Sequence, residues 1–302
     1  MHTVPVRSPK RGRVRREAII GWALMLPFLL LFIAMLCVPL IYSGWLSLFR
    51  SQLVGGETFA GLANYARAFQ DPAFWGGFGN VLFFLVVAIP LHLCAALGLA
   101  LLFDSGRVRG AALGRLGIFL PFAVPGVIAA LMWSFIYGPQ FGLITQFLHA
   151  LGLDAPNLLS STWILPSIMN ITGWEFIGYN MIVFYAALQA APRDINEAAE
   201  IDGAGQWWIA WQIKIPAIRG AILLVVIFSM IFSFQLFNEP ILLFSSAPSA
   251  IGSAFTPNLY AYNVAFKNQD INYAAAIAFL IGIITIIPSA FVLRLFNRKD
   301  RS

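Results

Sequence analysis

Residues 193–216 read RDINEAAEIDGAGQWWIAWQIKIP, with four carboxylates (Asp194, Glu197, Glu200 and Asp202) and two cations (Arg193 and Lys214). The whole chain is 60% hydrophobic and only 11% charged. These residue types suit docking rather than bond-making. Pro192 precedes Asp194, and Glu197 stands three residues after it, the spacing of a reciprocal helix cap. Asn196, Glu197, Glu200 and Asp202 are polar, while Ala198, Ala199 and Ile201 are apolar. Gly203 and Gly205 break this helix. A second helical piece over 206–213 carries Trp207, Trp208 and Trp211, and Pro216 ends it. A helix resting on a membrane would carry cations on its wet face. Carboxylates are repelled by anionic lipid and match a cationic protein groove. An amphipathic loop lying on the bilayer is the plainer alternative.

A second set of residues lies in the flanking apolar stretches. Trp174, Glu175, Tyr179 and Asn180 precede the charged segment, with Glu175 and Tyr179 one helical turn apart. Ser229 and Ser233 follow it, also one turn apart, and then Gln235 and Asn238. Trp133 and Tyr137 stand on an earlier stretch. Aromatic faces stack on flat apolar ring faces, and the amides, hydroxyls and carboxylate hydrogen-bond to hydroxyls. Only Glu175 and Glu239 carry charge well inside apolar stretches. A charge at a membrane helix centre costs about 2.5–3.5 kcal/mol, so it needs a reason. Glu175 sits near the midplane, where it reads as lining a pathway or holding an interhelical hydrogen bond. Glu239 sits near a span end, within reach of water. For each aromatic, bundle packing or an interfacial belt is the alternative.

Catalytic constellations are missing from the sequence. His2, His92 and His149 are scattered and form no ligand cluster. No Gly-x4-Gly-Lys-Ser/Thr occurs, so the chain has no phosphate-cradling loop of that kind. Cys37 and Cys94 have neither metal-ligand nor disulfide spacing and read as buried hydrophobes.

The elements that position these residues follow from hydrophobic length. A bilayer core of about 30 Å takes about 20 apolar helical residues. Six stretches qualify, over 19–49, 81–103, 117–137, 164–190, 221–244 and 274–296. The first exceeds the span length and is too long for a signal-peptide core. With 27 Phe and few charges, a soluble fold could not hide so much apolar surface. Of the 19 Lys and Arg, only Arg50, Arg67 and Lys267 fall in the odd-numbered connections; the rest lie in the two tails and the even-numbered connections. The positive-inside bias then puts both termini and the charged segment in the cytoplasm. It also accounts for the net charge of +6 without nucleic acid. The expected layout is a basic cytoplasmic tail over 1–18 and a six-span membrane domain over 19–302, with the charged loop at 191–217. The outer connections near 61–75, 139–162 and 245–270 are candidates for meeting a soluble outside partner.

The segment Glu197-Ala-Ala, three residues, Gly203, nine residues, Ile213-Lys-Ile-Pro216 resembles the EAA signature of ABC-importer permeases, E-A-A-x3-G-x9-I-x-L-P. All spacings match, and Ile215 replaces the usual Leu. Asp202-Gly-Ala204 agrees with the sugar-importer form. Asn64-Tyr65, Phe119-Leu-Pro121, Trp133, Trp174 with Gly178 and Met181, Leu188-Gln189, and Tyr260–Phe266 before Tyr273 are similar to the carbohydrate-uptake, maltose-type subfamily. The outer loop departs from it, reading Phe244-Ser-Ser-Ala-Pro-Ser249 where TGGGP is usual.

The resemblance implies an all-α, six-helix type I permease bundle in the bacterial inner membrane. Its two short helices would be coupling helices seated in a cytoplasmic ATPase, with Glu197, Ala198, Ala199, Asp202, Gly203 and Pro216 carrying the contact. It further implies two ATPase subunits that bind ATP and Mg, a second homologous permease, an extracytoplasmic sugar-binding protein and a sugar cargo. The chain itself would need no cofactor and hold no catalytic site. Trp174, Glu175, Tyr179, Asn180, Ser229, Ser233, Gln235 and Asn238, helped by Trp133 and Tyr137, would line the sugar path unless the paired permease holds it. The competing readings are an ABC permease for a non-sugar solute, a proton-driven secondary transporter with Glu175 as carrier, and an integral-membrane enzyme.

Overall fold

The computed structural model describes residues 11–52, 56–192 and 194–299. Arg7, Lys10, Arg193 and Arg301 of the basic segments lie outside the described residues. The first helix, α1 (Arg11–Phe32), already begins within the basic tail and continues through a wider turn at Ile33–Cys37 into α2 (Val38–Ser47). A hairpin follows, β1 (Phe49–Gln52) with β2 (Gly56–Phe59), pairing Phe49 with Phe59. The chain continues through α3 (Ala63–Gln70), α4 (Pro72–Asp104), α5 (Ala111–Phe119), α6 (Gly126–Ile136), α7 (Leu143–Ala150) and α8 (Ile164–Ala190). The charged segment forms α9 (Asp194–Ile201), α10 (Gln206–Ile209), a wide-turn piece at Ala210–Lys214 and α11 (Ile215–Ala217). The last elements are α12 (Arg219–Phe234), α13 (Asn238–Leu243), α14 (Pro257–Phe266) and α15 (Ile271–Lys299).

Among the described residues, four helical segments are long and apolar enough to cross a membrane: Ile19–Ser47, Pro72–Asp104, Arg219–Leu243 and Ile271–Arg294. The third expected span is not one straight helix. Its halves, α5 and α6, meet at 97°. Pro121 and Pro125 are the cause. Pro125 pushes Val124 into extended backbone (φ −79°, ψ 125°), and the helix cannot run through it. The fourth expected span is α8, at 27 residues ample to cross. It is less apolar than the others because it is the inner helix, wrapped by protein on much of its surface. Ile164, Ile168, Ile171, Met181 and Phe184 on it are all but inaccessible.

Two glycines let neighbours close onto α8. A Cβ at Gly173 would come within 2.7 Å of the His92 imidazole of α4, and one at Gly178 would run into the Ile118 carbonyl of α5. Among the described residues the core falls into three parts. Phe84, Tyr137, Ile164, Leu236 and Leu243 fill one; Phe74, Phe234, Tyr273 and Ile277 another. The third packs Ala96, Ala100, Met181, Phe184 and Val225. The outer face is a field of exposed Leu, Ile, Phe and Trp, as a lipid-facing surface requires.

The end of the bundle opposite the charged loop is pinned by polar contacts. Asp71 caps α4, its Oδ1 accepting from the Ala73 amide at 2.9 Å. Its Oδ2 accepts from the hydroxyls of Tyr260 and Tyr273. Arg67 lies 3.7 Å over the Tyr273 ring and pairs with Asp270 at 2.7 Å. Burial pushes the Asp71 carboxyl up, but the two hydroxyls and the backbone amides outweigh it and hold the group below its ordinary value. Burial and the same contact push Tyr260 up to about 12.

Candidate functional site

A cavity of about 350 Å³ opens among α4, the α5–α6 break, α8 and α12. That lies within the range of small-molecule sites, about 300–1,000 Å³. Its walls are aromatic. Phe122 of the break stacks on Tyr179 of α8 (4.6 Å, 21°), and Phe176 of α8 meets Phe232 of α12 at 4.6 Å. Its polar groups come from the same helices. Ser233, buried in the wall, donates to the Ser229 carbonyl (2.8 Å). Thr172 donates to the Ile168 and Met169 carbonyls in the same way. The side chains of Tyr179, Asn180, Ser229 and Gln235 line the cavity. His92 also lines it, and its Nε2 lies 3.0 Å from the Met169 carbonyl. A carbonyl only accepts, so Nε2 carries the proton and Nδ1 is left as an acceptor.

Five of the ten residues expected along the path therefore meet in one cavity: Tyr179, Asn180, Ser229, Ser233 and Gln235. The structure places the other five elsewhere. Trp133 and Tyr137 of α6 pack together at 5.2 Å, and Trp133 meets Trp174 edge-on at 5.9 Å. Tyr137 is buried, accepting from Asn170 at 2.7 Å and donating to the Ser167 carbonyl at 3.3 Å. Asn238 is exposed at the start of α13. Glu175 is 5% exposed and faces Gly126 at the α6 start, so the one-turn pairing of Glu175 with Tyr179 does not bring both to the cavity. Glu239 does not reach water at the span end. It is 4% exposed.

The wall residues His92, Phe122, Thr172, Phe176 and Phe232 are not among those expected from sequence; of these only Thr172 and Phe176 carry a signal, falling with Tyr179 and Asn180 at i, i+4, i+7 and i+8 on one face of α8. The cysteines are not both buried. Cys94 is exposed and Cys37 half-buried, because helix faces turned to lipid count as surface.

At the charged loop, α9 carries Glu197, Ala198 and Glu200 at its surface, and Asp202 follows, also exposed. Ile201 at its tip is 86% exposed. Gly203 has φ +83°. The Gly203 amide donates to the Glu200 carbonyl (3.0 Å) and the Ala204 amide to the Ala199 carbonyl (2.9 Å). This pair of bonds closes a helix with a left-handed residue after its end, where glycine is at home. Ala199 is half-buried. Pro216 does not end the second piece; it lies inside α11, and the chain breaks at Ile218 (φ −99°, ψ 14°). A second cavity of about 380 Å³ lies beneath α9, bordered by Asp104, Gln189, Glu197 and Lys214.

An apolar helical bundle with a broken third span, a solute-sized cavity and a protruding acidic loop has known relatives. Residues 17–301 match the family of binding-protein-dependent transport system inner membrane components, and the chain belongs to that family. It is 30% identical over 292 residues to the probable ABC transporter permease protein YurN of Bacillus subtilis (strain 168), covering 94% of this chain and 98% of that one. It is 31% identical to the lactose transport system permease protein LacF of Rhizobium radiobacter, covering 93% and 94%. Among solved structures, a bacterial ABC transporter involved in the import of the acidic polysaccharide alginate superposes with a TM-score of 0.83 at 21% identity, over 95% of this chain and 98% of that one. That likeness bears on the fold, a type I importer permease bundle.

Proposed function

We propose that this protein is one of two permease subunits of an ATP-driven importer for a sugar or oligosaccharide. Two partner ATPase subunits supply the energy, and an extracytoplasmic binding protein delivers the cargo. The cavity carries the sugar reading. Stacked and tilted rings stand beside hydroxyls and amides open to a solute, a combination that suits a polyhydroxylated ring. The lactose permease at 31% identity supports it, as does a solved alginate transporter in complex with a pentasaccharide-bound periplasmic protein. Both termini and the acidic loop lie on the cytoplasmic side, in keeping with the Lys and Arg bias. There the surface carboxylates of α9 meet cations of the ATPase.

The test is transport in vesicles containing the assembled complex, with a panel of radiolabelled disaccharides. Uptake of at least one is expected to need ATP and the binding protein and to survive an uncoupler. Uptake that collapses with the uncoupler and ignores ATP would assign the protein to secondary transport.

A further inference from the structure

The loop 191–217 runs by its own chain into α8 at one end and α12 at the other. Its link to α4 is made through side chains. Lys214, at the end of the loop's wide-turn piece, forms an ion pair with Oδ2 of Asp104, the last residue of α4. Gln189, next to last in α8, donates to Oδ1 of the same carboxylate at 2.7 Å. Both charged side chains are well covered, 15% exposed for Lys214 and 11% for Asp104. A single carboxylate therefore ties together the loop, the end of α4 and the end of α8.

We propose that Asp104 is a positioning residue that makes the loop and α4 move as one body. The argument rests on the importer reading above, in which the loop is pushed by an ATPase. α4 lines the cavity with Phe84, Ile89 and His92. His92 lies about 18 Å along the helix axis from Asp104 at about 1.5 Å per residue. A helix carries displacement over that length, whereas a hydrated side-chain contact at its end would yield. A largely covered ion pair with a second hydrogen bond on the same carboxylate holds its geometry better than a lone contact, because releasing Asp104 breaks a charge-assisted bond to Lys214 and the Gln189 bond together. Gln189 adds α8, which brings Thr172, Phe176, Tyr179 and Asn180 to the cavity. Displacement of the loop thus reaches two cavity walls together.

The exposed Cys94 on α4 offers a reporter. With Cys37→Ser, a spin label at Cys94 is read in the purified, nanodisc-embedded complex, before and after trapping with ATP and vanadate. Wild type is expected to show a spectral change. Asp104→Asn is expected to keep its membrane abundance and its ATPase partner but to shrink that change about tenfold, the scale of a typical coupling free energy. The exchanged pair Asp104→Lys with Lys214→Asp is expected to restore it. An undiminished change in Asp104→Asn overturns the proposal while leaving the importer reading intact. Wild type that retains no ATPase subunit overturns both. Failure of the single and the exchanged variants to accumulate in the membrane also overturns it, by assigning the pair to folding alone.

Discussion

Asn180 and Tyr179 are adjacent in sequence, yet they present different chemistry to the cavity. Asn180 is buried and contributes an amide, while Tyr179 contributes a ring face held by Phe122. Replacing Asn180 with Leu keeps the volume and removes the amide. An unmatched polar contact costs about 1–3 kcal/mol, so the half-saturating sugar concentration for uptake is expected to rise about tenfold. Tyr179→Phe keeps the stack and is expected to shift that concentration by less; Tyr179→Ala loses the ring wall and is expected to resemble Asn180→Leu. Uptake kinetics in vesicles separate the three. At this scale the sequence singled out five wall residues, Tyr179, Asn180, Ser229, Ser233 and Gln235, and passed over His92 and Thr172 along with most of the aromatic wall. Residue type alone singles out Asn180, Ser229, Ser233 and Gln235, because polar groups are rare in spans. Among 27 Phe, nothing in type marks Phe122 or Phe176; only the face shared by Thr172, Phe176, Tyr179 and Asn180 does.

At the scale of elements, glycines, prolines and caps decide where helices stop. Gly203 has open space where a Cβ would stand, so its requirement is conformational rather than steric. A left-handed non-glycine residue costs about 1–2 kcal/mol. Gly203→Ala is expected to fray the end of α9 and to speed amide hydrogen exchange at Gly203 and Ala204 about tenfold, as read by mass spectrometry. At the other end of the bundle, Asp71 holds α4, α14 and α15 together. Its folded-state value is depressed, so its contribution is present above its ordinary 3.8 and is lost as the pH falls through the lower folded value. Acidification from above 3.8 to below it is expected to lower the melting midpoint of the detergent-purified protein more than that of Asp71→Asn; equal shifts would remove Asp71 as the cause. Element positions were legible from apolar runs, whereas the 97° break was not. Pro121 and Pro125 mark it in sequence, but proline is tolerated inside many membrane helices, as Pro90 is within α4.

On the scale of the whole molecule, apolar runs report what faces lipid, and this explains the uneven visibility of the spans. The most apolar stretch of Ile19–Ser47 is wholly unburied, while α8, the most enclosed helix, is not among those apolar enough to cross by composition. The two ends of the bundle differ as sharply. One is tied by Asp71 and Arg67 with their partners spent inside the chain. The other presents Glu197, Glu200 and Asp202 at the surface with Ile201 among them, Glu200 accepting from Gln206 while staying exposed. Three carboxylates around one exposed aliphatic group make a surface suited to a cationic groove with an apolar floor. Reversing one of these charges sets like against like. Glu197→Lys is therefore expected to weaken retention of the ATPase subunit about a hundredfold, as measured by co-purification across a dilution series. Asp71→Asn, a change at the far end, is expected to leave retention unaltered. The pairing of the two variants separates an interface effect from general instability, since both remove one carboxylate but only one lies on α9. Full retention in Glu197→Lys would mean that the acidic face of α9 is solvent-facing and that the motor grips the bundle elsewhere.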